Sequence, residues 1–206
     1  MSKKIKRISE PNEIRFIEKR SEFIGFSTFV KNEEEALEII KQKKKEFSDA
    51  THNVYAYMIG ENIARYSDDN EPQGTAGMPV LNAIRMSGIS DVLVVVTRYF
   101  GGILLGAGGL VRAYSTAASM SLNNAKTVVY EDFKIIETKC TYSEYGKLLI
   151  ELQSDDVLLE NTEFSDDVQI SFSIRSDAFE KFNDKITDIF NGKVLLNVVG
   201  DKIDCK

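Results

Sequence analysis

The sequence predicts an α+β protein of two domains, and three observations support this. Apolar segments with the period of strands alternate with capped segments that have the period of helices. This pattern restarts at Glu131. The charge balance changes there as well: residues 1–130 hold seventeen Lys or Arg and fifteen Asp or Glu, whereas residues 131–206 hold nine and seventeen. We therefore expect one domain over 1–129 and a second over 130–206.

The first domain is predicted to begin with a strand region, a capped helix and two further strands. Residues 16–30 are rich in Phe, Ile and Thr, with a break at Arg20-Ser21. Asn32 is suited to cap a helix whose first turn is Glu33-Glu34-Glu35. Apolar, β-branched and aromatic residues then predict strands over 54–59 and 62–67.

A second helix, a buried strand and a third helix complete the first domain. Thr75 is the predicted N-cap of the second helix, and Gly88 is its predicted end. Residues 92–97 are apolar at successive positions, which is typical of a strand that is covered on both faces. The third helix is predicted over 113–123, after a glycine-rich loop.

The second domain shows the order β-α-β-β-α-β, which is typical of a ferredoxin-like fold. Strands are predicted over 133–141, 157–164, 168–174 and 194–199. A helix is predicted over 143–152, and a second follows a capping box of Asp177 and Glu180 and ends at Gly192.

The composition excludes several classes of protein. No apolar run is long enough for a membrane span, and the basic start of the chain lacks the apolar core of a signal peptide. The two cysteines, Cys140 and Cys205, have no metal-site spacing. We expect a cytoplasmic protein without a membrane partner. The acidic second domain is a poor candidate for a phosphate-binding surface.

A glycine-dense segment between Arg98 and Arg112 is the strongest indication of function. A strand, a glycine loop and a helix in succession leave backbone N–H groups available, and such an arrangement favours anions. Both arginines can offer planar guanidinium groups to phosphate or carboxylate. The segment matches neither a dinucleotide fingerprint nor a P-loop. The alternative is that the glycines only permit a tight turn and close packing. The candidate glycines are Gly101, Gly102, Gly106, Gly108 and Gly109.

An acidic loop and the glycine-rich helix start that follows it form the second candidate cluster. Asp68, Asp69 and Glu71 are candidates to position the two arginines or to hold Mg²⁺ through oxygen ligands. Thr75 and Gly77 are candidates for anion binding at the start of the helix. The alternative is an ordinary solvated loop.

His52 is the only histidine, which excludes a metal site with several histidines from one chain. It has no Gly-x-Ser-x-Gly partner motif, so a catalytic triad is not indicated. We expect it to line a polar, anion-binding groove together with residues 67–77 and 98–112, and the alternative is a structural hydrogen-bonding role.

Together these residues resemble the YigZ/IMPACT family, in its bacterial two-domain form. The resemblance rests on Asp49-Ala-Thr-His-Asn53, the block Ser67–Gly77 and the block Arg98–Arg112, and it covers roughly residues 15–125. It implies a first domain with a ribosomal-protein domain-2-like α/β fold, built around a left-handed βαβ crossover. It also implies a second domain similar to a ferredoxin-like domain of elongation factor G. Eukaryotic members are translational regulators, and bacterial members have proposed nucleic-acid or ribosome-associated roles.

We therefore expect a translation-associated regulator that binds RNA, a ribosome or a translation component through an anion-binding groove in the first domain. We expect no enzymatic activity and no cofactor, with Mg²⁺ as the one option left open. Two alternatives remain: an enzyme that acts on a small phosphorylated or acidic substrate, and an adaptor that binds a protein partner through the acidic second domain.

Overall fold

The structure, a computed structural model, describes residues 4–205. Over this range it is an α+β protein with two sheets and five helices, as the sequence predicts. The chain divides into two compact units: Lys6–Val128 form the first, and the residues from Val129 onward form most of the second. Every helix in the described range is too short or too polar to span a bilayer.

The first unit contains a five-stranded antiparallel sheet with the order β2-β3-β6-β4-β5. Because β3 and β4 both pair antiparallel with β6, they run parallel to each other, and α1 is the crossover between them. The elements, preceded by a short strand β1 (Ile5–Ile8), are β2 (Asn12–Glu18), β3 (Ser21–Phe29), α1 (Glu33–Glu46), β4 (His52–Ile59), β5 (Ile63–Ser67), α2 (Gly77–Ser87), β6 (Val92–Tyr99) and α3 (Ala107–Asn123).

The central strand β6 is buried on both faces, as its apolar sequence predicts. Val92, Val94 and Val96 belong to the core that the sheet forms with α2 and α3. Leu93 and Val95 belong to a second, smaller core beneath α1. The sheet therefore lies between α1 on one side and the α2–α3 pair on the other.

The second unit confirms the predicted β-α-β-β-α-β order. Four of its strands lie side by side as β8-β9-β7-β10, all antiparallel, which is a ferredoxin-like arrangement. The apolar faces of both helices complete one core on this sheet. The elements are β7 (Thr127–Cys140), α4 (Tyr142–Glu151), β8 (Val157–Phe164), β9 (Val168–Arg175), α5 (Phe179–Phe190) and β10 (Asn197–Cys205).

Helix starts account for three differences from the sequence prediction. Helix α3 begins at Ala107 rather than at residue 113. Thr75 is not the N-cap of α2: that position is Ala76, whose N–H is bound by the side chain of Asp68. The predicted capping box at Asp177 is also wrong, because Ala178 precedes α5 without any side-chain cap.

Candidate functional site

The register of the first sheet places Arg98 at the centre of the candidate site. Arg98 on β6 lies opposite Phe23 of β3 on one side and opposite His52 of β4 on the other. Its guanidinium carbon lies 5.6 Å from the centre of the Phe23 ring and 5.4 Å from that of Phe100. Only 6% of the Arg98 side chain is exposed. The cation is therefore held between two aromatic rings inside the unit.

Arg98 is neutralised by a buried carboxylate. Its Nη1 donates to Glu71 Oε1 at 2.7 Å, and its Nη2 donates to Ser21 Oγ at 3.3 Å. The Tyr114 hydroxyl donates to the same Glu71 oxygen at 2.8 Å. Burial raises the pKa of Tyr114 far above its ordinary value, and the Glu71 carboxylate raises it further. Tyr114 is therefore a permanent donor to Glu71.

The Arg98 Nε is the one polar side-chain atom in the described range that is buried without a hydrogen-bond partner. An orphaned donor inside a protein is uncommon. Because Arg98 is buried and already paired with a carboxylate, its position is fixed. It is therefore not free to bind an external phosphate.

The three carboxylates of the acidic loop point to three different places. Asp68 accepts hydrogen bonds from the N–H groups of Gly74, Ala76 and Gly77, at 2.7–3.1 Å. Asp69 accepts from Lys44 Nζ and from the N–H of Asn53. Neither contacts Arg98 or Arg112, whereas Glu71 does pair with Arg98. Within residues 4–205 no group of three or more acidic, histidine or cysteine side chains is arranged to hold a metal ion.

The start of α2 is closed to external anions. The Gly77 N–H donates to Asp68 Oδ1 at 2.7 Å. The Thr75 N–H and hydroxyl both donate to the carbonyl of Pro72, at 3.0 and 2.6 Å. These donors, which the sequence suggested for anion binding, are satisfied within the loop itself.

The glycines of the central segment have different roles. A Cβ at Gly101 would lie 2.0 Å from the backbone of Arg20, so glycine is required for the β2–β3 turn to pack here. Gly106 precedes α3 with φ 72° and ψ 165°, a conformation that is nearly restricted to glycine. Gly102 also has a positive φ. Gly108 and Gly109 lie in the first turn of α3 rather than in a loop.

The start of α3 is open. Its N-cap residue, Gly106, has no side chain to cap the helix, and the first turn contains no acidic residue. Within the described residues, the N–H groups of Ala107, Gly108 and Gly109 have no hydrogen-bond partner. Unsatisfied donors and the helix dipole make such an end favourable for negative charge.

A cavity of about 430 Å³ connects this helix end with the buried polar groups. Its surface is mainly apolar, and His52, Glu71 and Arg98 belong to the lining beside its small polar part. Its apolar wall and rim are formed by Pro72, Phe100, Leu104, Leu105 and Leu110, while Gly106 and Ala107 belong to the same lining. Its volume lies in the range of small-molecule and cofactor sites.

His52 has a defined orientation in this lining. Its Nδ1 lies 2.8 Å from the carbonyl oxygen of Asp69. Because a carbonyl only accepts, Nδ1 carries the proton and Nε2 has the free electron pair in the neutral ring. Nε2 lies 3.7 Å from Glu71 Oε1, which is too long for a hydrogen bond.

Arg112 is not part of the cavity. It is exposed on α3 and does not belong to the lining. The exposed residues Lys19 and Arg20 form the β2–β3 turn that packs on Gly101. Over residues 4–205, none of these three cations has an ion pair or a side-chain hydrogen bond.

Sequence reasoning did not identify Ser21, Phe100 or Tyr114 as parts of the site. Tyr114 could have been predicted as part of a buried polar contact. A tyrosine in an apolar helical stretch is expected to be buried, and its hydroxyl then needs an acceptor. Ser21 and Phe100 become significant only once the sheet register is known.

Comparison with known proteins identifies the family. The family model described as the Impact N-terminal domain matches residues 19–122, which is half of the chain. The chain belongs to the IMPACT family. A second model, described as a domain of unknown function (DUF1949), matches residues 138–193.

Bacterial IMPACT family members match most of this chain. It is 39% identical over 188 residues to the IMPACT family member YvyE of Bacillus subtilis, covering 90% of this chain and 87% of that protein. It is 30% identical to the IMPACT family member YigZ of Escherichia coli, covering 86% and 89%. A solved structure described as that of a hypothetical protein has a TM-score of 0.61 at 28% identity, covering 97% of this chain and 98% of that chain.

Proposed function

We propose that this IMPACT family member is a translation-associated regulator whose first unit binds RNA, free or within a ribosome, through the phosphate groups. Membership of the family supports a translation-related regulatory role in general terms. The RNA-binding part of the proposal rests on one observation: the start of α3 is uncapped and lies on the lining of a cavity.

The contrast between two helices of the same unit supports an anionic ligand at α3. The N–H groups at the start of α2 already have an internal anion, the carboxylate of Asp68. The corresponding groups of α3 have neither a capping side chain nor an acidic residue in the first turn. An external phosphate at α3 would take the position that Asp68 occupies at α2.

The charge of the segment that contains α3 favours a polyanion near this helix. The sequence from Val92 to Tyr130, which contains β6 and α3, has no Asp or Glu. The exposed cations Lys19, Arg20 and Arg112 are available to further phosphates. The second unit, with its excess of acidic residues, is expected to contribute no phosphate contacts.

The experiment adds a carboxylate to the open helix end. Ala107 is exposed in the first turn of α3 and lines the cavity. Ala107→Glu should stabilise the helix, because an acid suits its positive end, and should repel phosphate. We expect the affinity for a short labelled single-stranded RNA, measured by fluorescence anisotropy, to fall at least about ten-fold.

Two variants serve as controls. Ala107→Gln has the same size without the charge. Thr116→Glu adds the same charge at an exposed position of α3, about 13 Å along the helix. Both should bind RNA nearly as the parent does. Arg112→Ala should reduce the slope of log K against log salt by about 0.7 if Arg112 contacts one phosphate.

The proposal is wrong if RNA affinity does not depend on salt, or if Ala107→Glu and Thr116→Glu have the same effect. Parallel measurements with purified ribosomal subunits identify the source of the RNA. Binding to subunits at concentrations where short RNA is not bound would assign the site to ribosomal RNA.

A further inference from the structure

The cavity beside α3 has lining groups that a phosphate bound at the start of the helix would not contact. Two features of its lining are not explained by an anion at the helix end: the Nε2 nitrogen of His52 and the aromatic ring of Phe100. Hydrogen bonds to Asp69 and Thr51 hold these two residues, so each sets one requirement that a ligand must meet.

In the neutral ring, the Nε2 atom of His52 is a hydrogen-bond acceptor, and no donor within residues 4–205 bonds to it. Its ring is held by the bond from Nδ1 to the carbonyl of Asp69, and only 16% of its side chain is exposed. The nearest carboxylate oxygen, on Glu71, is itself an acceptor and is occupied by Arg98 and Tyr114. A ligand that satisfies Nε2 must therefore present an N–H or O–H group.

Phe100 contributes a partly exposed aromatic ring to the cavity lining. Its backbone N–H donates to Thr51 Oγ1 at 3.0 Å, which fixes the start of the glycine segment. The Arg98 guanidinium lies against its ring, 5.4 Å from the centre, and the residue remains 45% exposed. A partly exposed aromatic ring on a fixed backbone is suited to stack on a planar group such as a nucleobase.

We propose that the cavity receives one unstacked ribonucleotide of a single-stranded RNA. Its base stacks on Phe100, its phosphate binds the N–H groups at the start of α3, and its ribose 2′-hydroxyl donates to His52 Nε2. The 2′-hydroxyl is the group that distinguishes RNA from DNA, so His52 selects RNA. This inference rests on the proposed RNA-binding function and adds the form of the nucleic acid and the residue that selects it.

The first experiment compares a single-stranded RNA, the DNA of the same sequence and a blunt RNA duplex by anisotropy. The parent protein should bind the single-stranded RNA about five- to ten-fold more tightly than the DNA, which is the contribution of one hydrogen bond. The duplex should bind more weakly than the single strand, because its bases are already stacked and paired.

Variants separate the two contacts. His52→Phe keeps a ring but has no acceptor, so RNA affinity should fall to the DNA value while DNA affinity is unchanged. The unchanged DNA affinity shows that the variant is folded. Phe100→Ala should lower the affinity for RNA and for DNA by about ten-fold, whereas Phe100→Tyr should bind both as the parent protein does. Ile103→Ala alters an exposed residue of the same segment outside the cavity lining and should have no effect.

A second experiment separates this inference from the proposed function. Because His52 is the only histidine, its ring nitrogen signals can be assigned without ambiguity in NMR spectra. Uridine 5′-monophosphate should shift the Nε2 signal more than the 2′-deoxy nucleotide does. If RNA binds with salt dependence but neither nucleotide shifts this signal and His52→Phe keeps its RNA preference, the inference is wrong and the proposed function stands.

If uridine 5′-monophosphate shifts the signal and RNA does not bind, the proposed function is wrong and the cavity is a site for free nucleotides. Tight binding of the duplex, equal to that of the single strand, would also overturn the inference, since a base within a duplex cannot enter the cavity.

Discussion

Replacing Glu71 by glutamine should strongly destabilise the first unit, because it leaves a buried cation without its counter-charge. Glu71 Oε1 lies 2.7 Å from Arg98 Nη1, and the two side chains are only 4% and 6% exposed. Water therefore screens the pair little, and Glu71 is the one carboxylate of residues 4–205 that pairs with Arg98. Breaking a buried pair by removing one partner costs about 3–5 kcal/mol. We expect Glu71→Gln to lower the free energy of unfolding of the first unit by about 3 kcal/mol.

The assay has to distinguish the two units. The chain contains no tryptophan, so we suggest hydrogen exchange with peptide resolution across a urea series. Peptides from the first unit should lose protection at lower urea in the variant, while those from the second unit serve as an internal reference. Glu38→Gln, an exposed change on α1, is the control and should shift the free energy by less than about 0.5 kcal/mol.

A double-mutant cycle tests the reason for the loss. Glu71→Gln combined with Arg98→Met removes both charges, so the double variant should be more stable than the sum of the two single losses predicts, by about 1–3 kcal/mol. Additive losses would refute the explanation, and so would a loss below about 1 kcal/mol for Glu71→Gln alone.

Three further predictions concern other parts of the chain. Gly101→Ala should cost about 2 kcal/mol or more in urea unfolding, because its Cβ would meet backbone at 2.0 Å, whereas Gly108→Ala has open space and should gain up to about 1 kcal/mol. Asp68→Ala should cost about 2 kcal/mol, since three N–H groups at the start of α2 lose their acceptor. The hydrogen bond to Lys202 lowers the pKa of Glu160 in the folded protein. The ionised Glu160 therefore contributes its full stabilisation above the ordinary glutamate pKa, and this stabilisation is lost as the pH falls through the lowered pKa. Glu160→Gln should flatten this acid-side loss of stability in pH-dependent unfolding followed by circular dichroism.

Much of the fold could be predicted because its signals are local. The side chain of Asn32 accepts from the N–H of Glu35, as the capping pattern predicts, and Gly88 ends α2 in the left-handed conformation. The strand Val157–Phe164 has the predicted bounds. In each case the residues that determine the structure lie within a few positions of one another. The left hand of the crossover around α1 stays a prediction.

The features that the sequence did not predict depend on contacts between residues that are far apart in the sequence. Asp68 binds the N–H of Gly77, nine positions away, so the hydroxyl of Thr75 was the more obvious cap. The glycines at 108 and 109 suggested a loop, since glycine disfavours helices, but the helix begins before them. From the sequence, a carboxylate of the acidic loop was one candidate partner for Arg98 or Arg112. The choice of Glu71 for Arg98 follows from the fold.

The position of His52 and Arg98 on adjacent, directly paired strands has a consequence for kinetics. They form the end pair of the ladder between β4 and β6, the central strand of the sheet. His52 and Arg98 cannot separate unless the paired strands do. The binding site is therefore already formed before a ligand arrives. Association should then be limited by encounter and steered by ionic attraction, and differences between ligands should appear mainly in how long each one stays bound.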